Sequence, residues 1–143
     1  MSAIEFHNNG VIDSLTHAPA PAVFLENISR EAASARRGRY SLTIMSLRGV
    51  EPTEAQLIHL ARCIVRHLRS DEFFTRISET GFWIAVRGQE SDALALTQRI
   101  LETIGSDLKS YERVWSASAI EYRPEMSLDQ WIRSADEIHF ASF

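Results

Sequence analysis

Two extended runs, residues 72–77 (EFFTRI) and 82–86 (FWIAV), are separated only by Ser78-Glu79-Thr80-Gly81. Parallel strands need a crossover of a dozen or more residues, so a link this short forces the two runs to pair antiparallel as a β-hairpin. The flanks are aromatic and β-branched and the link is polar, as a strand, turn and strand require. Any sheet built on this hairpin is at least partly antiparallel.

The hydrophobic period changes on either side of it. Residues 19–35 open on prolines, which a first helical turn tolerates, and then space Val23, Phe24, Ile28 and Ala32 at three to four residues, which predicts a helix closed by Gly38. Residues 40–47 (YSLTIMSL) alternate Leu42, Ile44 and Ser46 against Ser41, Thr43 and Met45, a strand bounded by Gly49 and Pro52. Thr53 followed by Gln56 makes a capping box, and Leu57, Leu60, Ala61, Ile64 and Leu68 form the apolar stripe of a second helix ending near Arg69. After the hairpin come a helix over 90–104 with Leu94, Ala95, Ile100 and Leu101 inward, a strand over 114–122 and a helix over 128–138. The order βαββαβ, with a helix before and after it, predicts an α+β fold with a ferredoxin-like core, an antiparallel sheet backed by helices. That architecture hosts many functions and assigns none by itself.

A chain of 143 residues with 45% hydrophobic content suits one domain spanning 1–143. The net charge of −4 provides no global positive field, so neither nucleic acid nor an anionic membrane is an expected partner. Arg30, Arg36, Arg37 and Arg39 cluster at the end of the first helix, where cations favour the helix dipole, and read as a solvated face. The single cysteine, Cys63, excludes an internal disulfide and fits a reducing compartment. With no signal-like segment and no apolar run of about 18 residues, the expectation is a soluble cytoplasmic protein. Met1, and Phe143 soon after the last helix, suit a stand-alone chain.

Specific residues add a resemblance to this order. Asp13-Ser14-Leu15-Thr16 is similar to the D-x-L-T motif of the GGDEF, or diguanylate cyclase, family. Phe24-Leu25 followed by ARRGRYSLTIMSL resembles that family's first helix and strand. Arg76-Ile77-Ser78-Glu79-Thr80-Gly81-Phe82 resembles its R-x-G-G-D-E-F hairpin, residues 116–121 (SASAIE) its S-I-G-V-A strand, and Ser134-Ala135-Asp136-Glu137 through Phe140 its closing A-D-x-A-L-Y helix. Together these pieces cover nearly the whole chain. The resemblance implies a nucleotidyl cyclase-like fold and a place in bacterial cyclic di-GMP signalling.

It also implies a degenerate active site. In the family the two glycines of the turn let the backbone approach a triphosphate, and the acidic pair supplies a metal ligand and charge for attack on the α-phosphate. Ser78, Glu79, Thr80 and Gly81 stand at those four positions here. Glu79 lies too early in the turn to replace the lost ligand, since successive strand residues face opposite ways. The D-x-D-x-F metal motif expected at the end of the first strand reads Ser46-Leu47-Arg48-Gly49-Val50, and only Glu51-Pro52 separates Val50 from Thr53 where the family carries a longer guanine-holding segment. A triphosphate with two divalent cations needs several carboxylates nearby. The expectation is no catalytic residue, no metal, no cofactor and no enzymatic activity.

A second feature of the family is retained. Arg69-Ser70-Asp71-Glu72 matches, in register, the R-x-x-D of its inhibitory cyclic di-GMP site, with Glu72 in place of aspartate, and Arg99 in TQRI matches its supporting arginine. Arginine can bond bidentately to a phosphate or a guanine edge, and a carboxylate can accept from guanine N1 and N2. Arg69 and Glu72 also fit a plain ion pair at a helix end. The expected function is a receptor for cyclic di-GMP through Arg69, Glu72 and Arg99. The alternative is a nucleotide-independent module for protein interaction or self-association. His59, Cys63 and His67 share one side of the second helix, roughly opposite its apolar stripe, and could in principle hold Zn²⁺, but they read as coincidental helical spacing. Trp83 reads as core, or as a partner surface if exposed.

Overall fold

The structure is a computed structural model that describes residues 6–38, 40–107 and 114–141. Met1, Arg39 and Phe143, named above, lie outside the described residues. In chain order the elements are α1 (Pro21–Arg36), β1 (Leu42–Gly49), α2 (Glu54–His67), β2 (Phe73–Ser78), β3 (Gly81–Arg87), α3 (Glu90–Asp107), β4 (Trp115–Glu121) and α4 (Leu128–Ala141). The strands form one sheet in the order β2-β3-β1-β4, with every adjacent pair antiparallel. With α2 and α3 as the connections, this is the ferredoxin-like core, to which α1 and α4 are added.

The sheet is covered on both faces. Met45, Leu47, Phe82, Ile84 and Val86 pack with Leu57, Leu60, Ile64, Leu96 and Ile100 from α2 and α3. On the other face Leu42, Ile44, Trp83 and Ala85 pack with Phe24, Ile28, Trp131 and Ala135 from α1 and α4. Strand alternation sorts β1 into these two sets as the sequence suggests, but both sets are apolar because each faces a helical layer. Trp83 is 2% exposed and packs its ring against Phe24, so it belongs to the core.

Local signals set the element ends. The capping box at α2 is present in full, with Gln56 N donating to Thr53 Oγ1 and Thr53 N to Gln56 Oε1. Asp92 Oδ2 accepts from Gln89 N at the start of α3. The phase of α3 differs from the sequence expectation. Ala93, Leu96, Ile100 and Ile104 face the core, whereas Leu94 is 48% exposed and Ala95 is exposed. Ile100 faces inward as its spacing predicts, and Leu101 is half-buried beside it. Two adjacent inward leucine patterns one residue apart compete in ALALTQRIL, and packing on α2 selects the one that runs through Ile104. Cys63 is likewise fully buried in the α2–α3 core and is not opposite the stripe. Among the described residues no helix is long and apolar enough to cross a membrane.

The segment before α1 docks on the hairpin. Thr75 Oγ1 donates to the Pro19 carbonyl oxygen at 2.6 Å. Asp13, 1% exposed, accepts from Thr16 N and Oγ1 and pairs with the fully buried Arg76 at 3.2 Å. Arg76 Nη2 donates in turn to the Glu79 carbonyl oxygen at 3.0 Å. The shape of the β2–β3 turn is thus tied to a residue far away in the chain.

Candidate functional site

The end of β1 and the β2–β3 turn converge at one end of the sheet. Pairing sets Ser46 opposite Trp83 and Arg48 opposite Gly81, and Ser78 faces Gly81 across the turn. Onto this corner α4 delivers His139. Its Nδ1 is hydrogen-bonded to Ser46 Oγ, its Nε2 lies 2.9 Å from Ser78 Oγ, and Arg48 Nη1 donates to its carbonyl oxygen at 2.8 Å. The Trp83 ring stands edge-on to the imidazole at 6.4 Å.

Ser46, Ser78 and His139 are 4%, 8% and 1% exposed, so this hydroxyl and imidazole cluster is sealed from any reactant. Gly81 shows how tightly. A Cβ at this position would lie 2.4 Å from the Leu47 carbonyl oxygen and 2.6 Å from His139 Cε1. The position between Arg48 and Ser78 therefore has no room for a side chain. Thr80 is half-buried and Glu79 exposed at the tip of the turn.

Burial, and then the charge of Arg48, lower the pKa of His139 from 6.5 to about 4. The fold holds the neutral imidazole, so an unfolded chain takes up this proton first as pH falls. The stability that His139 contributes is complete above pH 6.5 and is lost progressively toward pH 4, by about 3 kcal/mol in all. Denaturant midpoints at pH 7 and pH 4.5 check this: the wild type should lose more stability across that interval than His139→Leu. Equal losses would show that His139 protonates as readily folded as unfolded.

The second location lies where the α2–β2 loop, β3 and α3 meet. Arg69, Glu72 and Arg99 come together there, with Val86, Arg87, Asp92, Ala95 and Leu96, around a cleft of about 310 Å³. Glu72 does not pair with the Arg69 side chain; its Oε1 accepts from Arg69 N at 3.0 Å, and its own N–H donates to the Arg69 carbonyl oxygen. That turn presents the exposed Arg69 guanidinium to the cleft. Arg87 and Asp92 were not singled out from the sequence. A signal for Arg87 exists, since it breaks the apolar run FWIAV just before Gly88. His139 was also missed, although a histidine in the closing helix where A-D-x-A-L-Y has leucine marks it.

The helical His59, Cys63 and His67 set does not converge on a metal site. Cys63 points into the core, and His67 bonds through Nδ1 to the Cys63 carbonyl oxygen at 2.8 Å and through Nε2 to Thr103 Oγ1 at 3.3 Å. Among the described residues no three His, Cys, Asp or Glu side chains are grouped to hold a metal ion. Of the basic cluster, Arg30 pairs with Glu26 on the exposed face of α1 and Arg36 donates to the Tyr122 hydroxyl.

A βαββαβ sheet with this order, flanked by a leading and a closing helix, is the fold of GGDEF domains. The GGDEF domain of DgcB from Caulobacter crescentus, solved in complex with c-di-GMP, matches with a TM-score of 0.76 at 19% identity, over 96% of this chain and 92% of that one. The diguanylate cyclase SiaD from Pseudomonas aeruginosa, solved with its activator SiaC, matches with a TM-score of 0.75 at 18% identity over 91% of this chain, which spans 56% of SiaD. The FimX GGDEF domain from Pseudomonas aeruginosa matches with a TM-score of 0.70 at 16% identity, over 92% of this chain and 94% of that one. At these identities the likeness is one of fold. No protein-family model matches the chain, and no curated protein matches its sequence.

Proposed function

We propose that this chain is a single, catalytically inactive GGDEF-like signalling domain that serves as a receptor for cyclic di-GMP. The observation that carries the reading is the cleft of about 310 Å³ that gathers Arg69 and Glu72 of the α2–β2 loop with Arg99 of α3. Guanidinium groups there can bond bidentately to phosphate, and Glu72 or Asp92 can accept from a guanine edge. The DgcB domain that shares this fold was solved with c-di-GMP, which supports the choice of ligand.

Inactivity rests on the other end of the sheet. Hard divalent cations take oxygen ligands, mainly carboxylates, and the residues at this corner are a hydroxyl at Ser46, a cation at Arg48 and a bare backbone at Gly81. His139 fills the remaining space. These residues do not fit a pair of Mg²⁺ ions.

Titration calorimetry with cyclic di-GMP tests the receptor. The expected dissociation constant is micromolar, about −8 kcal/mol. Arg69→Ala should weaken binding about tenfold or more, because a charge-assisted contact is lost, while Glu72→Asp should retain it. Absence of heat with the wild type, or unchanged affinity in Arg69→Ala, would sink the receptor. The function then left is a nucleotide-independent interaction or self-association module.

A further inference from the structure

Arg87 stands in the wall of the same cleft, yet its guanidinium is already engaged outside it. Nε and Nη2 donate to the Glu31 carboxylate on α1 at 3.1–3.3 Å, and Nη1 lies 3.4 Å from Asp71 Oδ2 in the turn that also holds Arg69 and Glu72. The same group stacks over the Tyr40 ring at 4.2 Å, and the Tyr40 hydroxyl bonds to Glu31. Arg87 is thus the shared member of two structures: the cationic lining of the cleft and an ion-pair cluster that fastens α1 to the end of β3.

From this geometry we infer that Arg87 is a ligand-gated latch, in which a phosphodiester in the cleft and the carboxylates of Glu31 and Asp71 compete for one guanidinium. The inference rests on the receptor reading above and adds a regulatory residue to it. A planar guanidinium has a limited set of donors in fixed directions. A bound anion that draws the group toward Arg69 and Arg99 does so at the expense of its bidentate pairing with Glu31. Linkage makes the effect reciprocal: whatever loosens Glu31 from Arg87 tightens the ligand, and the ligand loosens the C-terminal half of α1 by the same factor. The pairs are part-exposed, with Arg87 and Glu31 side chains at 38% and 23%, so their rupture is cheap enough for a small ligand to drive.

The test is a double-mutant cycle read by calorimetry with cyclic di-GMP, with amide hydrogen exchange of α1 as an independent readout. Glu31→Gln should tighten binding about threefold, and Arg87→Ala should weaken it about tenfold. In the Arg87→Ala background, Glu31→Gln should have no effect. Exchange in the second half of α1 should rise on saturation of the wild type and stay level in Arg87→Ala. Weaker binding by Glu31→Gln would overturn the latch, because it would mean that Glu31 holds Arg87 in place for the ligand. Equal tightening by Glu31→Gln with or without Arg87 would overturn it too, leaving only general charge repulsion. Saturable binding untouched by Arg87→Ala would remove Arg87 and leave the receptor standing, whereas a wild type that binds nothing would remove both.

Discussion

Arg76→Ala is expected to cost about 3–5 kcal/mol of stability, the range for stripping one partner from a buried ion pair. Arg76 is 0% exposed and Asp13 1%, so the substitution strands a carboxylate in the interior with, among the described residues, only Thr16 N and Oγ1 still donating to it. The Glu79 carbonyl oxygen loses its donor as well. For a domain of this size the thermal midpoint should fall by about 10 °C. Asp13→Ala combined with Arg76→Ala should recover part of the loss, since no lone charge then remains buried. A calorimetric scan in which Arg76→Ala melts within a degree of the wild type would show that water reaches Asp13, contrary to its burial.

The second large effect concerns the blocked corner. Gly81→Glu, which returns a carboxylate to the hairpin, should destabilise the chain by about 3 kcal/mol or more and should not create a cyclase. The added Cβ would meet the Leu47 carbonyl oxygen and His139 Cε1 at 2.4 and 2.6 Å, and the first of these is backbone that cannot swing away. Incubation of wild type and variant with GTP and Mg²⁺ should give no cyclic di-GMP from either. Product from the wild type would refute the inactive reading outright. A Gly81→Glu variant as stable as the parent would show that both the β1 backbone at Leu47 and His139 can give way, and that the corner is less closed than its packing indicates.

The cleft and the buried corner lie at different ends of the sheet. Arg69, Glu72, Arg87 and Arg99 gather at the cleft beside α3, while Ser46, Ser78 and His139 gather under α4. β3 joins them, with Gly81 at one end and Arg87 at the other. A ligand in the cleft therefore need not pass near the sealed corner. Under the latch, its effect travels to α1 through Glu31.

Features that depend on neighbours in the chain were legible from the amino acids. A short link forces a hairpin, Thr53 and Gln56 three residues apart cap a helix, and the order βαββαβ points to a ferredoxin-like core. Arg69 and Glu72 could be placed side by side because three residues of one turn separate them, but the bond that joins them, from the Arg69 backbone N–H to Glu72 Oε1, is not the ion pair that their charges suggest. The inward face of α3 was only half legible, since two apolar registers one residue apart fit its sequence and contact with α2 chose between them. What occupies the corner was beyond reach: His139 lies 93 residues from Ser46 and 61 from Ser78, and no local pattern ties them. Arg87 and Glu31 are 56 residues apart. Secondary structure is decided by short-range sterics and hydrogen bonds, which the order of residues encodes directly. Which side chain closes a site, and which carboxylate holds an arginine, is decided only when packing brings distant elements to a common point.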